Sequence, residues 1–588
     1  MTNNDGRWIV YLGTSLCVLC IAYFSALDHG LLSSANFTLM FRMLLESYDA
    51  TTVWLGGVVW LGASAWNLPA RVHKLVDSLS AHCGLVVLTS VLLTALGSIY
   101  IYHRYALSMD EYAAVFQSKL FASGRIYAQL PAALVDWFVV SGFNGSFLFA
   151  SPVTGKVIEG YWPGFALLLT PFQWLGVPGL CNALLAGAAV YLIYRVTLEI
   201  TGDARAAGWA MLFTLASSVF WANAISFYAM QAHMTANLLF AWLLLRPTPM
   251  RALSAGIVGS IALALHNPFP HLLFAAPWLL AIALDESRRR LLVPLVLGYL
   301  PLSLLLVVGW SIFRADILSM DGGNFAQVQS LTQIFVWPDT ALLDMRVAAL
   351  AKMWVWAMPG LFVLAVFGRK RLAADRRVRL LMQSAVLTFL GYCFVKLDQG
   401  HGWGYRYFHS AWGVIPVLAA AAMKGTAGVI NAPAGAMSAN AGTIKENSGA
   451  SDRVAGIAGA AAVLSLAVLV PFQMRQIDQV MTEHLAQIPL PQRPGNNVYF
   501  IHPGRGFYVA DMVQFDPLLR DQDLYLVSRG GALDDALIRQ NWPDATKLGG
   551  SAAADQWVLG PGDRRESTPG TRDARHFIFK IDAATRSR

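Results

Sequence analysis

Long apolar runs separated by short polar stretches dominate this sequence. A helix that spans a bilayer needs about 20 apolar residues, and fewer when flanking residues reach the interface. Thirteen stretches fit: 8–27, 53–69, 84–102, 179–197, 207–222, 226–245, 252–266, 270–284, 291–313, 347–367, 379–397, 409–423 and 454–473. A further run, 162–177, is short and interrupted by Pro171, which predicts an interfacial or re-entrant helix. The pattern predicts an all-α polytopic membrane protein.

Composition supports this prediction. Of the 588 residues, 56% are hydrophobic and 13% are charged, whereas a soluble protein carries about 25% charged residues. The net charge of +8 lies in short clusters between apolar runs, so we expect a lipid bilayer and no nucleic acid as partner. The five cysteines lie in or beside apolar runs, and Cys17 and Cys20 read as inert thiols.

The distribution of basic residues predicts an orientation. Basic clusters fall in alternate loops, the densest at 369–379, and these loops should be cytoplasmic. The opposite set of loops, 28–52, 103–178, 314–346 and 396–408, has fewer basic residues. An odd number of spans then places the N-terminus in the cytoplasm and the C-terminus in the periplasm of a bacterial inner membrane.

The chain divides into five parts by texture. Two N-terminal spans occupy 1–83, and a membrane core with a long first external loop occupies 84–424. A flexible cytoplasmic loop rich in Ala, Gly, Ser and Asn follows at 425–453, and the last span is 454–473. Residues 474–588 should form a small α/β domain outside the membrane, with strands at 498–501, 524–527, 556–559 and 577–580 and a helix near 532–540.

The first candidate for chemistry is the adjacent pair Asp110 and Glu111, just outside the helix that ends near Tyr102. A positioned carboxylate can take the proton of an acceptor hydroxyl or amine, and the pair could instead hold a divalent cation. Two solvated loop acids remain the alternative. A short amphipathic helix over 117–125 and a turn at 160–165 would roof a cavity beside them.

Two more groups of polar residues fall on the same predicted face. His233, His266 and His271 lie at outer helix ends, where polar residues cap the interface or line a cavity. Their spacing matches no common metal motif, so the metal requirement stays open. The segment 396–409 is rich in glycine, aromatic residues and cations, and Arg406 could pair with phosphate oxygens or serve with its neighbours as an interface anchor.

Taken in order, these motifs resemble the GT-C class of membrane glycosyltransferases, nearest the branch of the protein O-mannosyltransferases and the bacterial aminoarabinose transferase. The resemblance covers roughly 84–424. Its matches are Asp110-Glu111, Tyr161-Trp162-Pro163-Gly164, Gly202-Asp203-Ala204-Arg205, Ala232-His233 and Arg406-Tyr407. The chain departs in its two extra N-terminal helices, in lacking an Arg-Pro near His266, and in its C-terminal domain.

The resemblance implies an inverting transfer of a sugar from a polyprenyl-phosphate donor to a glycan, lipid or protein acceptor on the outer face. Asp110 would be the base, assisted by Glu111. Further roles are implied for donor phosphate binding by Arg104, Arg406, Tyr407 and His401, and for a substrate cavity lined by Tyr161, His233 and His266. No cofactor is required for this chemistry beyond the divalent cation left open above.

Two other classes of function use similar features. A transporter or flippase of lipid-linked saccharides commonly shows a repeated half, and this sequence shows none. A non-catalytic assembly subunit would use the external domain as its binding surface. In such a subunit the segments that carry Asp110 and Arg406 need not converge.

Overall fold

The computed structural model describes residues 3–66, 69–319, 335–396, 399, 402–424, 441–491, 497–506, 508–521, 523–560 and 563. Its main helices are Asn3–Asp28, Leu39–Met43, Ala50–Ala65, Pro69–Ala81, Cys83–Tyr100, Met109–Ala122, Gly164–Trp174, Leu180–Thr201, Ala204–Leu215, Ser218–Ile225, Met230–Leu245, Pro249–Ala264, Phe269–Ala283, Leu292–Leu302, Trp310–Ser319, Thr340–Trp356, Leu361–Arg371, Arg376–Tyr392, His409–Trp412, Val414–Ala421, Ala441–Leu464, Val470–Leu485 and Gly531–Asn541. Short π-helical turns at Leu44–Asp49, Ser303–Gly309 and Ser465–Leu469 join neighbouring helices.

Each predicted apolar run coincides with helix, and the chain is a multi-pass integral membrane protein. By length and composition, five helices of the described chain could each cross a membrane, or up to seven if each bent pair counts as one span. The predicted span 347–367 is one such pair: Thr340–Trp356 and Leu361–Arg371 meet at 91°. Pro359 cannot continue the helix, and Gly360 adopts a left-handed φ of 83° at the break. The count of thirteen spans stays a prediction.

Two predicted cytoplasmic loops contain helix. Pro69–Ala81 is an amphipathic helix that packs on Ala204–Leu215, and Arg205 Nε lies 2.6 Å from Asp77 Oδ1 between them. The helix Ala441–Leu464 begins inside the predicted flexible loop 425–453. Residues 425–440 of that loop lie outside the described residues, as do 320–334 of the predicted external loop 314–346.

The loop 103–178, predicted to be the first external loop, is folded. It contains the helix Met109–Ala122, called the loop helix below, and a three-stranded antiparallel sheet with Lys156–Glu159 between Ala128–Gln129 and Leu148–Ala150. The loop helix begins eight residues before the predicted 117, and it ends before Gly124, whose φ of 73° is left-handed. Gly164–Trp174 packs against it. The acidic pair therefore lies in the first turn of a helix rather than in irregular chain.

The C-terminal region contains a four-stranded sheet in the order Leu524–Val527, Asn497–Ile501, Ala554–Val558 and Thr546–Gly550. The first two strands are parallel and the other pairs antiparallel. A parallel pair needs a crossover connection, and residues 508–521 of that connection, the crossover segment, lie against the loop helix. Thr546–Gly550 was not predicted because it is exposed and contains two glycines. The predicted strand 577–580 lies outside the described residues.

Candidate active site

Asp110 and Arg406 form an ion pair between segments 296 residues apart. Arg406 donates a hydrogen bond from one terminal nitrogen to Asp110 Oδ2 at 2.8 Å, and the hydroxyl of Tyr161 donates to Asp110 Oδ1. The Arg406 side chain is 5% exposed and that of Asp110 is 18% exposed. The pair is thus almost enclosed, with its carboxylate still reachable.

Gln399 shapes the turn that carries Arg406. Its side-chain amide donates to the carbonyl oxygens of Gly402 and Gly404, each at 2.9 Å, and its Oε1 accepts from the Arg406 backbone N–H at 2.7 Å. The second terminal nitrogen of Arg406 donates to the Gln399 carbonyl at 2.7 Å. Gly404 has φ 67°, and a Cβ there would lie 2.8 Å from the Val219 side chain. A side chain at this position would therefore disturb the turn.

Aromatic rings complete the setting of Arg406. Its guanidinium carbon lies 4.2 Å from the centroid of the Tyr228 ring and 5.8 Å from that of Tyr407, in the range of cation–π attraction. Tyr407 stacks on Tyr392 at 4.8 Å. Arg406 Nε is buried and has no hydrogen-bond partner among the described residues. The guanidinium is therefore held in place, and its Nε–H remains available as a hydrogen-bond donor.

Glu111 has a different environment from its neighbour Asp110. Its side chain is buried, with Oε1 accepting from the Phe227 N–H at 2.8 Å. Oε2 accepts from the Tyr102 hydroxyl at 3.0 Å and the Leu107 N–H at 3.1 Å. Because both oxygens bind protein donors, Glu111 anchors the start of the loop helix to neighbouring segments. The geometry does not support the expectation that Glu111 assists Asp110 in proton transfer.

The two adjacent carboxyl groups also differ in pKa. Burial raises the pKa of Asp110, but the charge of Arg406 and the hydrogen bonds from Tyr161 and Arg406 outweigh it, so the pKa falls below its ordinary value. Burial raises the pKa of Glu111 to about 7, although its hydrogen bonds act in the opposite direction. Adjacent groups whose environments separate their pKa values are a common basis for different roles. Asp110 therefore ionises at a lower pH than Glu111.

Tyr161 reaches Asp110 because its turn is fastened to helix ends. The ring of Tyr161 lies 3.8 Å from that of His266, measured between centroids. The Trp162 N–H donates to the His266 carbonyl at 3.2 Å, and the Trp310 indole N–H donates to the Tyr161 carbonyl at 2.7 Å. The structure therefore brings two of the predicted cavity residues, Tyr161 and His266, to the ion pair.

The other predicted site residues have different positions. His233 is fully buried in the helix Met230–Leu245, with neither ring nitrogen hydrogen-bonded within the described chain and with His266 and His271 as electrostatic neighbours. Arg104 is exposed, in a left-handed turn with φ 56°, and no contact between described residues joins its side chain to Asp110 or Arg406. His401 lies outside the described residues. No group of three or more His, Cys, Asp or Glu among the described residues could hold a metal ion.

A third carboxyl group near Asp110 was not predicted. Asp511, in the crossover segment, accepts the backbone N–H of Met109 at 2.6 Å. Burial and the charges of Asp110 and Glu111 raise the pKa of Asp511 to about 8, although the Met109 N–H acts against them. No sequence motif marks Asp511. Gln399 and Tyr228 were also missed; the run of alternate glycines after Gln399 was the one available signal for that turn.

Comparison with known proteins now bears on the fold. No protein-family model matches the sequence, and no curated protein matches it significantly. Among solved structures, ArnT from Cupriavidus metallidurans bound to undecaprenyl phosphate is similar with a TM-score of 0.50 and 12% identity, over 81% of this chain and 99% of that one. The apo form of the same protein gives a TM-score of 0.46 and 13% identity, over 82% and 100% of the two chains.

A further similar structure is the Archaeoglobus fulgidus oligosaccharyltransferase in the apo form. Its TM-score is 0.39 at 13% identity, over 67% of this chain and 56% of that one. ArnT, in contrast, is matched along nearly its whole length. ArnT is a GT-C glycosyltransferase, so the resemblance that the sequence motifs indicated is confirmed at the level of the fold: this chain has the fold of a GT-C membrane protein.

Proposed function

We propose that the protein is a membrane glycosyltransferase that moves a sugar from a polyprenyl-phosphate donor to an acceptor. The observation that carries this proposal is the ion pair of Asp110 with Arg406. It brings a carboxylate and a phosphate-binding side chain together inside a fold shared with ArnT, which was crystallised with undecaprenyl phosphate. A non-catalytic assembly subunit has no need of this convergence.

Arg406 supplies the binding group for the donor phosphate. Guanidinium groups match phosphate oxygens in geometry and charge, and they keep that charge at all physiological pH values. One terminal nitrogen of Arg406 contacts Asp110 and the other the Gln399 carbonyl, which leaves Nε–H without a described partner. Tyr407 and Tyr228 hold the guanidinium plane while the phosphate binds.

Asp110 acts as the general base. The acceptor O–H or N–H gives its proton to an oxygen of Asp110 as the acceptor atom bonds to the anomeric carbon. The bond from that carbon to the phosphate oxygen breaks at the same time, and its electron pair leaves with the polyprenyl phosphate beside Arg406. Attack from the face opposite the leaving phosphate inverts the stereochemistry.

Donor binding would also activate the base. In the structure Arg406 and Tyr161 both stabilise the ionised form of Asp110, which lowers its pKa and its basicity. A phosphate bound to Arg406 competes with Asp110 for the guanidinium charge. The pKa of Asp110 then rises, so the carboxylate becomes a stronger base when a donor is present.

The proposal also includes the membrane topology and the roles of the parts of the chain. The thirteen spans, a cytoplasmic N-terminus and a periplasmic C-terminus in a bacterial inner membrane would place the Asp110 site on the outer face. The core 84–424 would supply the donor site, and 474–588 would lie on the acceptor side. The acceptor would be a glycan, a lipid or a protein.

The decisive experiment measures transfer of labelled sugar from polyprenyl-phosphate donors in membranes that contain wild-type protein or Asp110→Asn. Loss of a general base lowers the rate by about 10²–10⁴-fold. Asp136→Asn is the matched control, because Asp136 lies in the same external loop with a side chain 65% exposed. Full activity of Asp110→Asn would overturn the assignment of the base. Movement of the lipid-linked sugar across the membrane without transfer would indicate a flippase instead.

A further inference from the structure

The C-terminal region contacts the loop helix through its crossover segment, and Asp511 hydrogen-bonds the residue that precedes the acidic pair. The first backbone N–H groups of any helix lack partners within that helix. Asp511 Oδ1 accepts the N–H of Met109, the first residue of the loop helix, at 2.6 Å. The cap comes from 402 residues away along the chain.

Other contacts hold the crossover segment along the same helix. Gln514 donates to the Ala106 carbonyl at 2.6 Å, just before the helix begins. One turn into the helix, the Tyr112 hydroxyl donates to the Phe515 carbonyl and accepts the Phe515 N–H, the latter at 2.9 Å. The ring of Phe515 packs 5.5 Å from that of Phe116, between centroids. These contacts fix where Asp511 meets Met109.

The first turn of the loop helix is also where Asp110 lies. Asp110 directly follows Met109, and its two oxygens must meet Arg406 and Tyr161 together. A displacement of about 1 Å can lower a reaction rate by about 10²-fold. A change in the Met109 backbone therefore reaches the proposed base through one peptide bond.

We propose that Asp511 is a positioning residue, which caps the loop helix from the C-terminal region and so holds Asp110 against Arg406 and Tyr161. The C-terminal region is then a part of the active site, beyond any role in binding the acceptor. Its catalytic consequence rests on the glycosyltransferase activity proposed above. The cap itself does not, so the two can be tested separately.

The test compares Asp511→Ala with wild type by hydrogen exchange of peptides that cover residues 105–115, in detergent or nanodiscs. Loss of a cap frees the Met109 N–H, and we expect exchange there to become about tenfold faster. Asp534→Ala is the matched control. Asp534 lies in the helix Gly531–Asn541 of the same region and ties the preceding turn to it, accepting Ser528 Oγ–H at 2.6 Å and the Arg529 N–H at 2.9 Å.

The second readout is steady-state transfer, normalised to folded protein. We expect Asp511→Ala to lower kcat about 10–100-fold with the donor KM within about twofold of wild type. Asp511→Asn keeps an oxygen that can accept the Met109 N–H, so it should restore kcat to within about threefold of wild type. Asp534→Ala should leave kcat unchanged. If Asp511 had a purely structural role, Asp511→Ala would lower the amount of folded protein but leave the kcat of each folded molecule unchanged.

The possible outcomes separate the two proposals. If exchange at 105–115 in Asp511→Ala were as slow as in wild type, the cap would be overturned. The same would follow if Asp534→Ala accelerated exchange at 105–115 as much as Asp511→Ala does. Faster exchange with an unchanged kcat would overturn the positioning role. A wild type that is inactive with every polyprenyl-phosphate donor, while exchange still rises in Asp511→Ala, would overturn the proposed function and support the cap.

Discussion

Asp110 with Arg406 and Asp49 with Lys352 are both aspartate–cation pairs that join segments about 300 residues apart. Lys352 contacts Asp49 Oδ2, and the Trp356 indole N–H donates to Asp49 Oδ1 at 2.6 Å. The side chains of Asp49 and Lys352 are each 1% exposed. In the other pair Asp110 is 18% exposed, and Arg406 keeps an Nε–H without a partner among the described residues.

The difference separates a structural contact from a site. Both pairs have two bound carboxylate oxygens, but the side chain of Asp49 is only 1% exposed, so its pair fastens the N-terminal helices to the helix Thr340–Trp356. Asp110 can be reached, and Arg406 can bind a further group. Pairing between distant segments is common to both. Residual exposure and an unused donor distinguish the pair that we propose as the active site.

The largest effect should follow from breaking the ion pair of Asp49 with Lys352. Lys352→Met leaves the Asp49 charge buried and unpaired, which costs about 3–5 kcal/mol of unfolding free energy. Sugar transfer per folded molecule should not change. Chemical denaturation in detergent measures the stability, and the double variant Asp49→Leu with Lys352→Met should regain most of it. Equal stability of wild type and Lys352→Met would contradict the structural role.

For the pair of Asp110 with Arg406 we expect the opposite result, a change in sugar transfer with little change in stability. Arg406→Lys keeps the charge but loses the planar donors that contact Asp110 and Gln399. We expect the donor KM to rise about tenfold or more, with little change in stability. Initial rates over a donor series measure this, with Arg529→Lys in the C-terminal region as the control. An unchanged donor KM would remove Arg406 from the phosphate site.

A smaller effect should come from Tyr161→Phe, which removes one hydrogen bond to Asp110 and leaves the ring. The pKa of Asp110 should rise toward its ordinary value, because a bond that favoured the ionised form is lost. The acid limb of the kcat/KM profile should then move to higher pH, and the maximal rate should fall about three- to tenfold. Tyr127→Phe in the same loop is the control, and an acid limb that stays in place would contradict the contact.

The smallest expected effect is a change in how stability depends on pH. The pKa of Asp511 is raised in the folded protein from 3.8 to about 8. Its contribution is fully present below pH 3.8 and is lost as the pH rises through about 8, because the unfolded chain releases this proton earlier. An asparagine at 511 does not titrate in this range. The decrease in Tm from pH 5 to pH 8 should therefore be about 2 °C smaller in Asp511→Asn than in wild type. Parallel Tm curves for the two proteins would refute this.

Much of the fold, and part of the site, follows from the sequence alone. Apolar runs predicted where helices lie, because the bilayer imposes length and polarity on each of them. Asp110, Tyr161, His266 and Arg406 stand out as polar side chains at the ends of apolar runs, and the structure brings all four together. Polar residues are informative here because so few positions tolerate them.

What could not be predicted depends on contacts between distant segments. Asp110 and Glu111 are indistinguishable as neighbours in sequence, and only the Phe227 N–H and the Tyr102 hydroxyl show that Glu111 is enclosed. Asp511 is an ordinary loop acid until the crossover segment meets the loop helix. The bend at Gly360 depends on a single dipeptide within an apolar run. Periodicity and composition carry no information about such pairings.

The crossover segment has a consequence for how the protein is made. Ribosomes synthesise the loop helix some 400 residues before Asp511, so during that interval its leading amide has no cap from Asp511. If Asp511 positions the base as proposed, a nascent chain that already has Asp110, Tyr161 and Arg406 is still incomplete as a catalyst. Activity then begins only when the crossover segment has been synthesised, and the lipid carrier is protected from chains whose synthesis stopped before it.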